Sequence, residues 1–170
     1  MKFVESDMDF SPLFENGDTI SIEASKHRKS LGEGIKSVEF ISLQHENKLF
    51  FVEGKSSSPK PDPDNKQKLD EFLDPIVEKF CHSFQIYLST KFGIIKDKDG
   101  EFPLSLVDCE LSELKIIFLL IIQGHERGWL MPVLDCLHKK LLVQRKIWKV
   151  EVVVWNDEIA LQNAFIEPII

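Results

Sequence analysis

The alternation of apolar and polar positions predicts five strands along the chain. A two-residue period marks residues 19–24 and 37–43, and the apolar run LFFV marks a third strand over residues 48–55. The polar tetrad QHEN between the second and third strands predicts an antiparallel hairpin. Residues 114–122 and 150–155 are apolar on both faces, which is typical of strands inside a covered sheet.

A long amphipathic helix is predicted after the third strand. Apolar residues recur every three or four positions over residues 69–88, and Asp64 or Asn65 can cap the first turn. Pro75 lies inside this pattern and is expected to kink or divide the helix. Gly93 is expected to end it.

The second half of the chain alternates strands with helices. A helix is predicted over residues 129–148, and Asp157 can cap a last short helix to about residue 165. Residues 25–35 and 56–65 are rich in charge, glycine, serine or proline, and are predicted as loops.

The order of these elements predicts an α/β fold in a single domain over residues 1–170, with a core at about residues 19–155. Three antiparallel strands and a long helix come first, and a strand–helix–strand crossover follows. We therefore expect a mixed sheet flanked by helices, with an additional C-terminal strand and a short helix.

Composition narrows the classes of function. The net charge of −7 argues against a generally basic surface for non-specific nucleic-acid binding, although a local basic groove is compatible with it. The longest apolar run, residues 116–122, is too short to span a bilayer, and the N-terminus lacks the apolar stretch of a signal peptide. The three cysteines form no CxxC pair. We expect a cytoplasmic protein with no membrane partner.

The third strand ends in an acid and a base, Glu53 and Lys55, which flank Gly54. Residues two apart on a strand project from the same face, so both side chains are expected to leave the sheet together. Glu39 lies on the preceding strand and is expected to fall roughly opposite Glu53 across the hairpin. Two carboxylates and an ammonium group would then form one cluster, with Gly54 leaving room for another chain to approach.

Two carboxylates beside a lysine suit metal-dependent phosphate chemistry. Carboxylate oxygens are hard ligands for Mg²⁺, which keeps several waters and bridges to a phosphate oxygen. A lysine can orient water or stabilise the charge that develops on the phosphate. The competing interpretation is that Glu53 and Lys55 form a solvated ion pair at a strand end, which would contribute little to stability.

Glu39 on the second strand, the E-x-K of Glu53 and Lys55, and the long helix before a strand–helix–strand tail resemble the PD-(D/E)XK restriction-endonuclease-like superfamily. The resemblance covers about residues 19–155. It implies an αβββαβ core and a Mg²⁺- or Mn²⁺-dependent nuclease that hydrolyses DNA or RNA. It also implies catalytic roles for Glu39, Glu53 and Lys55, with the two carboxylates and the carbonyl group of Gly54 as metal ligands.

The sequence departs from the superfamily at two places. The acid on the second strand is usually Asp in the superfamily, whereas this chain has the longer Glu39. The opening helix of the superfamily often supplies a further Glu, whereas the segment before the first strand is short and weakly helical here.

Other polar residues are candidates for contacts with phosphates beside such a site. The candidates are Lys26, Arg28, Lys29, Ser56 and Lys68. A solvated loop is the competing interpretation of the basic run, and a simple turn is the competing interpretation of Ser56. Lys79 is expected at the surface, and Glu23 is expected to face solvent rather than a site.

Two functions follow from these patterns. The first is a metal-dependent nuclease that acts on nucleic acid as an endonuclease or exonuclease. The second is a catalytically inactive module with the same fold, which binds a protein partner or a second copy of the chain. The acidic charge and the apolar tail at residues 166–170 favour the second function.

Overall fold

The computed structural model describes residues 2–169 and shows an α/β fold with a five-stranded mixed sheet flanked by helices. The strands are β1 (Val4–Glu5), β2 (Met8–Asp9), β3 (Asp18–Ser21), β4 (Phe40–Gln44), β5 (Lys48–Lys55), β6 (Lys115–Ile122) and β7 (Glu151–Asn156). The helices are α1 (Ser11–Asn16), α2 (Lys26–Lys29), α3 (Lys66–Lys91), α4 (Leu104–Asp108), α5 (Arg127–Lys140), α6 (Leu142–Ile147) and α7 (Asp157–Gln162). In this part of the chain, no helix is both long enough and apolar enough to cross a membrane.

The large sheet has the order β3-β4-β5-β6-β7. Strands β3, β4 and β5 pair antiparallel, whereas β5, β6 and β7 pair parallel. Strand β5 is therefore the junction between the two halves, with an antiparallel neighbour on one side and a parallel neighbour on the other. Helix α3 provides the connection from β5 to β6, because a parallel pair needs a long crossover.

The hairpin of β4 and β5 has the predicted position, and its turn explains its register. Glu46 and Asn47 have φ angles of 61° and 55°, and positive φ at two successive residues is the geometry of a tight hairpin turn. The turn places Gln44 opposite Lys48 and Phe40 opposite Val52. The regular pairing ends there, because the backbone N–H of Glu39 donates a hydrogen bond of 3.1 Å to the carbonyl oxygen of Val52 and does not continue the register to Glu53.

Helix α3 has the predicted extent. Pro75 lies inside α3 without dividing it, since the helix continues without interruption over its 26 residues. Asn65, one of the two predicted caps, is the N-cap residue of α3, although its side chain makes no capping hydrogen bond. A short 3₁₀ turn precedes the helix, and the side chain of Asp62 caps that turn by accepting a hydrogen bond from the backbone N–H of Asn65. Gly93 follows the helix with a φ of 71°, as predicted for a C-terminal glycine.

Three further predictions need correction. The segment predicted as a loop over residues 25–35 begins with α2, whose first turn is capped by Ser25. The helix predicted over residues 129–148 begins earlier, at Arg127, and is divided near Leu141 into α5 and α6. The cap of α7 is Asn156 rather than Asp157.

The sheet separates two apolar clusters, so both faces of β5 are buried. On one face, Phe51 contacts the rings of Phe118 on β6 and Phe84 on α3. On the other face, Phe50 and Val52 pack in a cluster that includes residues of the N-terminal segment and of α7. The alternation along β5 therefore directs Glu53 toward the α3 side and Gly54 toward the N-terminal side.

The sequence did not predict the N-terminal hairpin of β1 and β2. The two strands pair antiparallel around Ser6 and Asp7, which both have positive φ angles. Met8 and Phe10 lie at the base of the hairpin and are buried against the sheet. The hairpin is thereby fixed over the C-terminal end of β5.

Candidate acidic site at the end of β5

Glu53 is fully buried, and two lysines balance its charge. The ammonium group of Lys55 lies 2.7 Å from Glu53 Oε1, which confirms that these two side chains leave the same face of β5. The ammonium group of Lys79 on α3 lies 2.9 Å from the same oxygen. Glu53 has no exposed side-chain surface, whereas 18% of the Lys79 side chain and 30% of the Lys55 side chain are exposed. Glu53 is therefore an interior carboxylate and not a solvated strand end.

Glu39 lies beside Glu53 and is also buried. Its Oε2 accepts a hydrogen bond of 2.8 Å from the backbone N–H of Gly54. Burial and the nearby charge of Glu53 raise the pKa of Glu39 to about 8, although the hydrogen bond from Gly54 acts in the opposite direction. The hairpin thus brings the two predicted carboxylates into one electrostatically coupled pair.

Gly54 is crowded by the N-terminal segment. The hydroxyl group of Ser6 donates a hydrogen bond of 3.0 Å to the carbonyl oxygen of Gly54. A Cβ atom at Gly54 would lie 2.9 Å from Glu39 Oε2 and 3.2 Å from both Met8 Cε and Phe10 Cζ. A side chain at this position would therefore have to displace the ends of the Glu39, Met8 and Phe10 side chains, and the carbonyl group named as a further metal ligand has a partner from the chain itself.

Two more acids surround the buried pair. Glu23 follows β3, and its Oε1 lies 3.5 Å from the ammonium group of Lys79. Glu5 is largely exposed on β1, but the partial burial of its carboxyl group, together with the charge of Glu23, raises its pKa. Glu23 therefore faces the site, contrary to the expectation that it faces solvent alone, although its side chain is half exposed.

Lys79 and Ser6 are the residues that sequence reasoning missed. For Lys79 a signal existed, because this lysine lies three residues after Ile76 and next to Phe80, which both face the sheet. A charged residue inside an apolar stripe needs a partner in the interior. For Ser6 there was no signal, since its contact depends on how the N-terminal hairpin folds back.

The basic residues predicted for phosphate contacts lie on or next to α2. Lys26 is exposed, and its ammonium group is 3.9 Å from Asp99. The guanidinium group of Arg28 donates to the carbonyl group of Ile35, and the ammonium group of Lys29 donates to a backbone carbonyl 2.8 Å away. These three side chains thus have contacts with their own surroundings in the described structure.

Ser56 and Lys68 come after β5 in the sequence, whereas α2 comes before it. Both are exposed, and within residues 2–169 neither side chain has a hydrogen bond or an ion pair to another residue. Lys68 precedes Lys79 by three helical turns on α3, which places it on the same face of the helix at a distance of about 16 Å along the axis. Contact with nucleic acid through these residues stays a prediction.

The site can present few ligands to a metal ion. Within residues 2–169, no group of three or more His, Cys, Asp and Glu side chains is arranged to hold one. The pair of Glu39 and Glu53 matches the one or two carboxylates by which Mg²⁺ is usually bound, with waters completing its coordination. The buried Glu53 Oε2 has no hydrogen-bond partner in the described part of the chain, so an acceptor is free for an additional cation.

Comparisons of the chain with protein-family models, with curated proteins and with solved structures gave no match.

Proposed function

We propose that this chain is a metal-dependent hydrolase of phosphodiester bonds in DNA or RNA, built on a PD-(D/E)XK restriction-endonuclease-like fold. The order of elements supports the fold. Helix α1, strands β3 to β5, helix α3 and strand β6 follow the αβββαβ order of the superfamily, with the short helices α2 and α4 inserted in the connections. Strand β7 and helix α7 are then the additional C-terminal elements.

The observation that carries the proposal is the burial of Glu39 and Glu53 side by side at the end of β5, with Lys55 in contact with Glu53. Two buried carboxylates repel each other and lose hydration, and the raised pKa of Glu39 expresses this cost. A site that holds two such groups together is typical of function rather than of stability.

Mg²⁺ or Mn²⁺ fits these residues because Glu53 Oε2 is without a partner and because a divalent cation would offset the repulsion between the two carboxylates. Glu39 and Glu53 would hold the ion, with the carbonyl group of Gly54 as a further ligand. When bound, the ion would supply Lewis acidity and charge neutralisation at the phosphate.

The other catalytic roles belong to side chains of the protein. Lys55 is the more exposed of the two lysines at Glu53, and its ammonium group is placed to stabilise negative charge on a phosphate or to orient water. Without substrate, the ion pair with Glu53 positions that ammonium group at the exposed end of the site.

A cleavage assay tests this function. DNA and RNA, single- and double-stranded, are incubated with the full chain in Mg²⁺, in Mn²⁺ and in EDTA. We expect cleavage only with a metal ion, and a loss of about 100-fold or more in rate for Glu53→Gln and for Lys55→Met. Lys48→Met is the matched control because Lys48 lies on the same strand in an exposed ion pair with Glu46. Unchanged rates in the first two variants, or cleavage in EDTA, would refute the proposal.

One observation favours the second function, an inactive module that binds a protein partner or a second copy of the chain. The hydroxyl group of Ser6 already satisfies the Gly54 carbonyl, and the N-terminal hairpin lies over the carboxylates. The tail gives this function less support than the sequence indicated, since Ile166 is buried in the chain's own core and Ile170 lies outside the described residues. A wild-type chain that neither cleaves nucleic acid nor binds Mn²⁺ would support it.

A further inference from the structure

Lys79 occupies a position that the proposed function does not use. Its ammonium group lies 2.9 Å from Glu53 Oε1 and 3.5 Å from Glu23 Oε1. It therefore bridges a carboxylate on β5 and a carboxylate just after the end of β3. Its side chain is mostly buried.

The charges at the site show what this cation balances. Four carboxylates interact there, and they belong to Glu5, Glu23, Glu39 and Glu53. Within residues 2–169, the ammonium groups that form ion pairs with these acids are those of Lys55 and Lys79, and they contact Glu53 and Glu23. Lys79 lies between Glu53 and Glu23, so its ammonium group supplies positive charge to both carboxylates at once.

Lys79 fits this bridging position better than Lys55 does. Lys55 contacts Glu53 alone and has 30% of its side chain exposed, whereas Lys79 contacts two carboxylates and has 18% exposed. Lys79 also comes from α3, which packs on the sheet through buried residues on either side of it, so its backbone position is fixed. Lys55 is at the strand end and is free to turn toward a substrate.

We propose that the Lys79 ammonium group takes the place of a second metal ion between Glu53 and Glu23, so that the site binds one divalent cation and not two. The inference rests on the proposed function, because it assumes that Glu39 and Glu53 bind the first ion. In this proposal, Lys79 positions the Glu53 carboxylate through Oε1. The other oxygen, Oε2, is then available to the bound ion.

The number of Mn²⁺ ions bound per chain tests the inference without any activity assay. The full chain is titrated with Mn²⁺ alone, free Mn²⁺ is measured by electron paramagnetic resonance, and the stoichiometry is checked by calorimetry. We expect one ion for the wild-type chain and two ions for Lys79→Met, since the freed carboxylates of Glu53 and Glu23 become ligands. The double variant Lys79→Met/Glu23→Gln should return to one ion.

Two further variants define the role of charge. Lys79→Arg keeps the positive charge and should bind one ion. Lys140→Met is the matched control, because Lys140 also bridges two carboxylates, those of Asp70 and Asp74, but outside the site. It should bind the same single ion as the wild-type chain. If Lys79→Met does not fold, Lys79→Gln takes its place, with an amide that can still donate to Glu53.

The outcomes separate the two proposals. One ion in both the wild-type chain and Lys79→Met would overturn this inference and leave the metal-dependent function intact. Two ions in the wild-type chain would also overturn it, as would a second ion in Lys140→Met with the same affinity. A wild-type chain that binds no Mn²⁺ would overturn the metal-dependent function, and this inference with it.

Discussion

Within residues 2–169, two lysines each contact two carboxylates. Their comparison shows whether the distance between the charged groups determines what an ion pair contributes to stability. Lys140 on α5 lies 2.6 Å from Asp74 and 3.1 Å from Asp70, whereas Lys79 lies 2.9 Å and 3.5 Å from its partners. The contacts of Lys140 are shorter. Asp74 is 65% exposed, however, and the Glu53 side chain is fully buried.

The difference shows that burial of the acceptor decides what an ion pair contributes. Water and salt screen the pairs of Lys140, so they contribute little to folding. The Glu53 side chain is shielded from bulk solvent, so solvent cannot replace a lost lysine, and the free-energy cost of removing this carboxylate from water is offset by its ion pairs. We therefore expect that breaking the longer contacts lowers the free energy of unfolding more than breaking the shorter ones.

The largest effect is expected when Glu53 loses both lysines. The double variant Lys55→Met/Lys79→Met leaves a buried carboxylate without an opposite charge, which should lower the free energy of unfolding by about 3–5 kcal/mol. Urea unfolding at neutral pH measures it. In the same assay, Lys140→Met should cost about 1 kcal/mol or less. Equal losses in the two variants would show that burial does not distinguish the two regions.

A smaller effect is expected from the ionisation of Glu39. In the folded chain its pKa is about 8, above the ordinary value of 4.5 that applies to the unfolded chain. The folded chain therefore binds more protons between these values. The contribution of Glu39 to the free energy of unfolding is fully present below pH 4.5 and is lost as the pH rises to about 8.

Urea unfolding in EDTA across pH 5 to 9 measures this dependence. The wild-type chain should lose stability on the order of a few kcal/mol across the window, and Glu39→Gln should lose less. Asp74→Asn is the exposed control and should leave the slope unchanged. A Glu39→Gln profile with the wild-type slope would contradict the assigned shift in pKa.

The smallest effect concerns two glycines, one in each region. Gly54→Ala places a methyl group against Glu39, Met8 and Phe10, and should cost about 1–3 kcal/mol. Gly128→Ala on α5 meets no atom within 4 Å and should stabilise the chain by about 0.5–1 kcal/mol, because alanine favours the helix. Thermal unfolding followed by circular dichroism compares the two, and a shift of the same sign in both would contradict the crowding at Gly54.

The sequence predicted what depends on local patterns. The apolar run of β5 and the turn after β4 determined the register, so the positions of Glu53 and Lys55 followed from counting along β5, whereas Glu39 lies one residue beyond the regular pairing. The period of α3 and its stop at Gly93 followed in the same way.

The remaining features depend on contacts between distant segments. Pro75 was expected to kink or divide α3, yet the helix is not divided, and residues on both sides of the proline, Leu73 and Ile76, are buried. The contact of Ser6 with Gly54 joins opposite ends of a long stretch of sequence, and no local pattern encodes it.

The junction at β5 also has a consequence for the order in which the molecule assembles. The hydrogen bond from Gly54 to Glu39 lies within one hairpin, so it can form early and locally. Glu53 becomes buried only when β6 pairs alongside β5, with Leu120 opposite Glu53, and this requires the whole α3 connection to close. Closing such a loop costs chain entropy before any contact repays it. The protein therefore completes its acidic site in one of its slower folding steps.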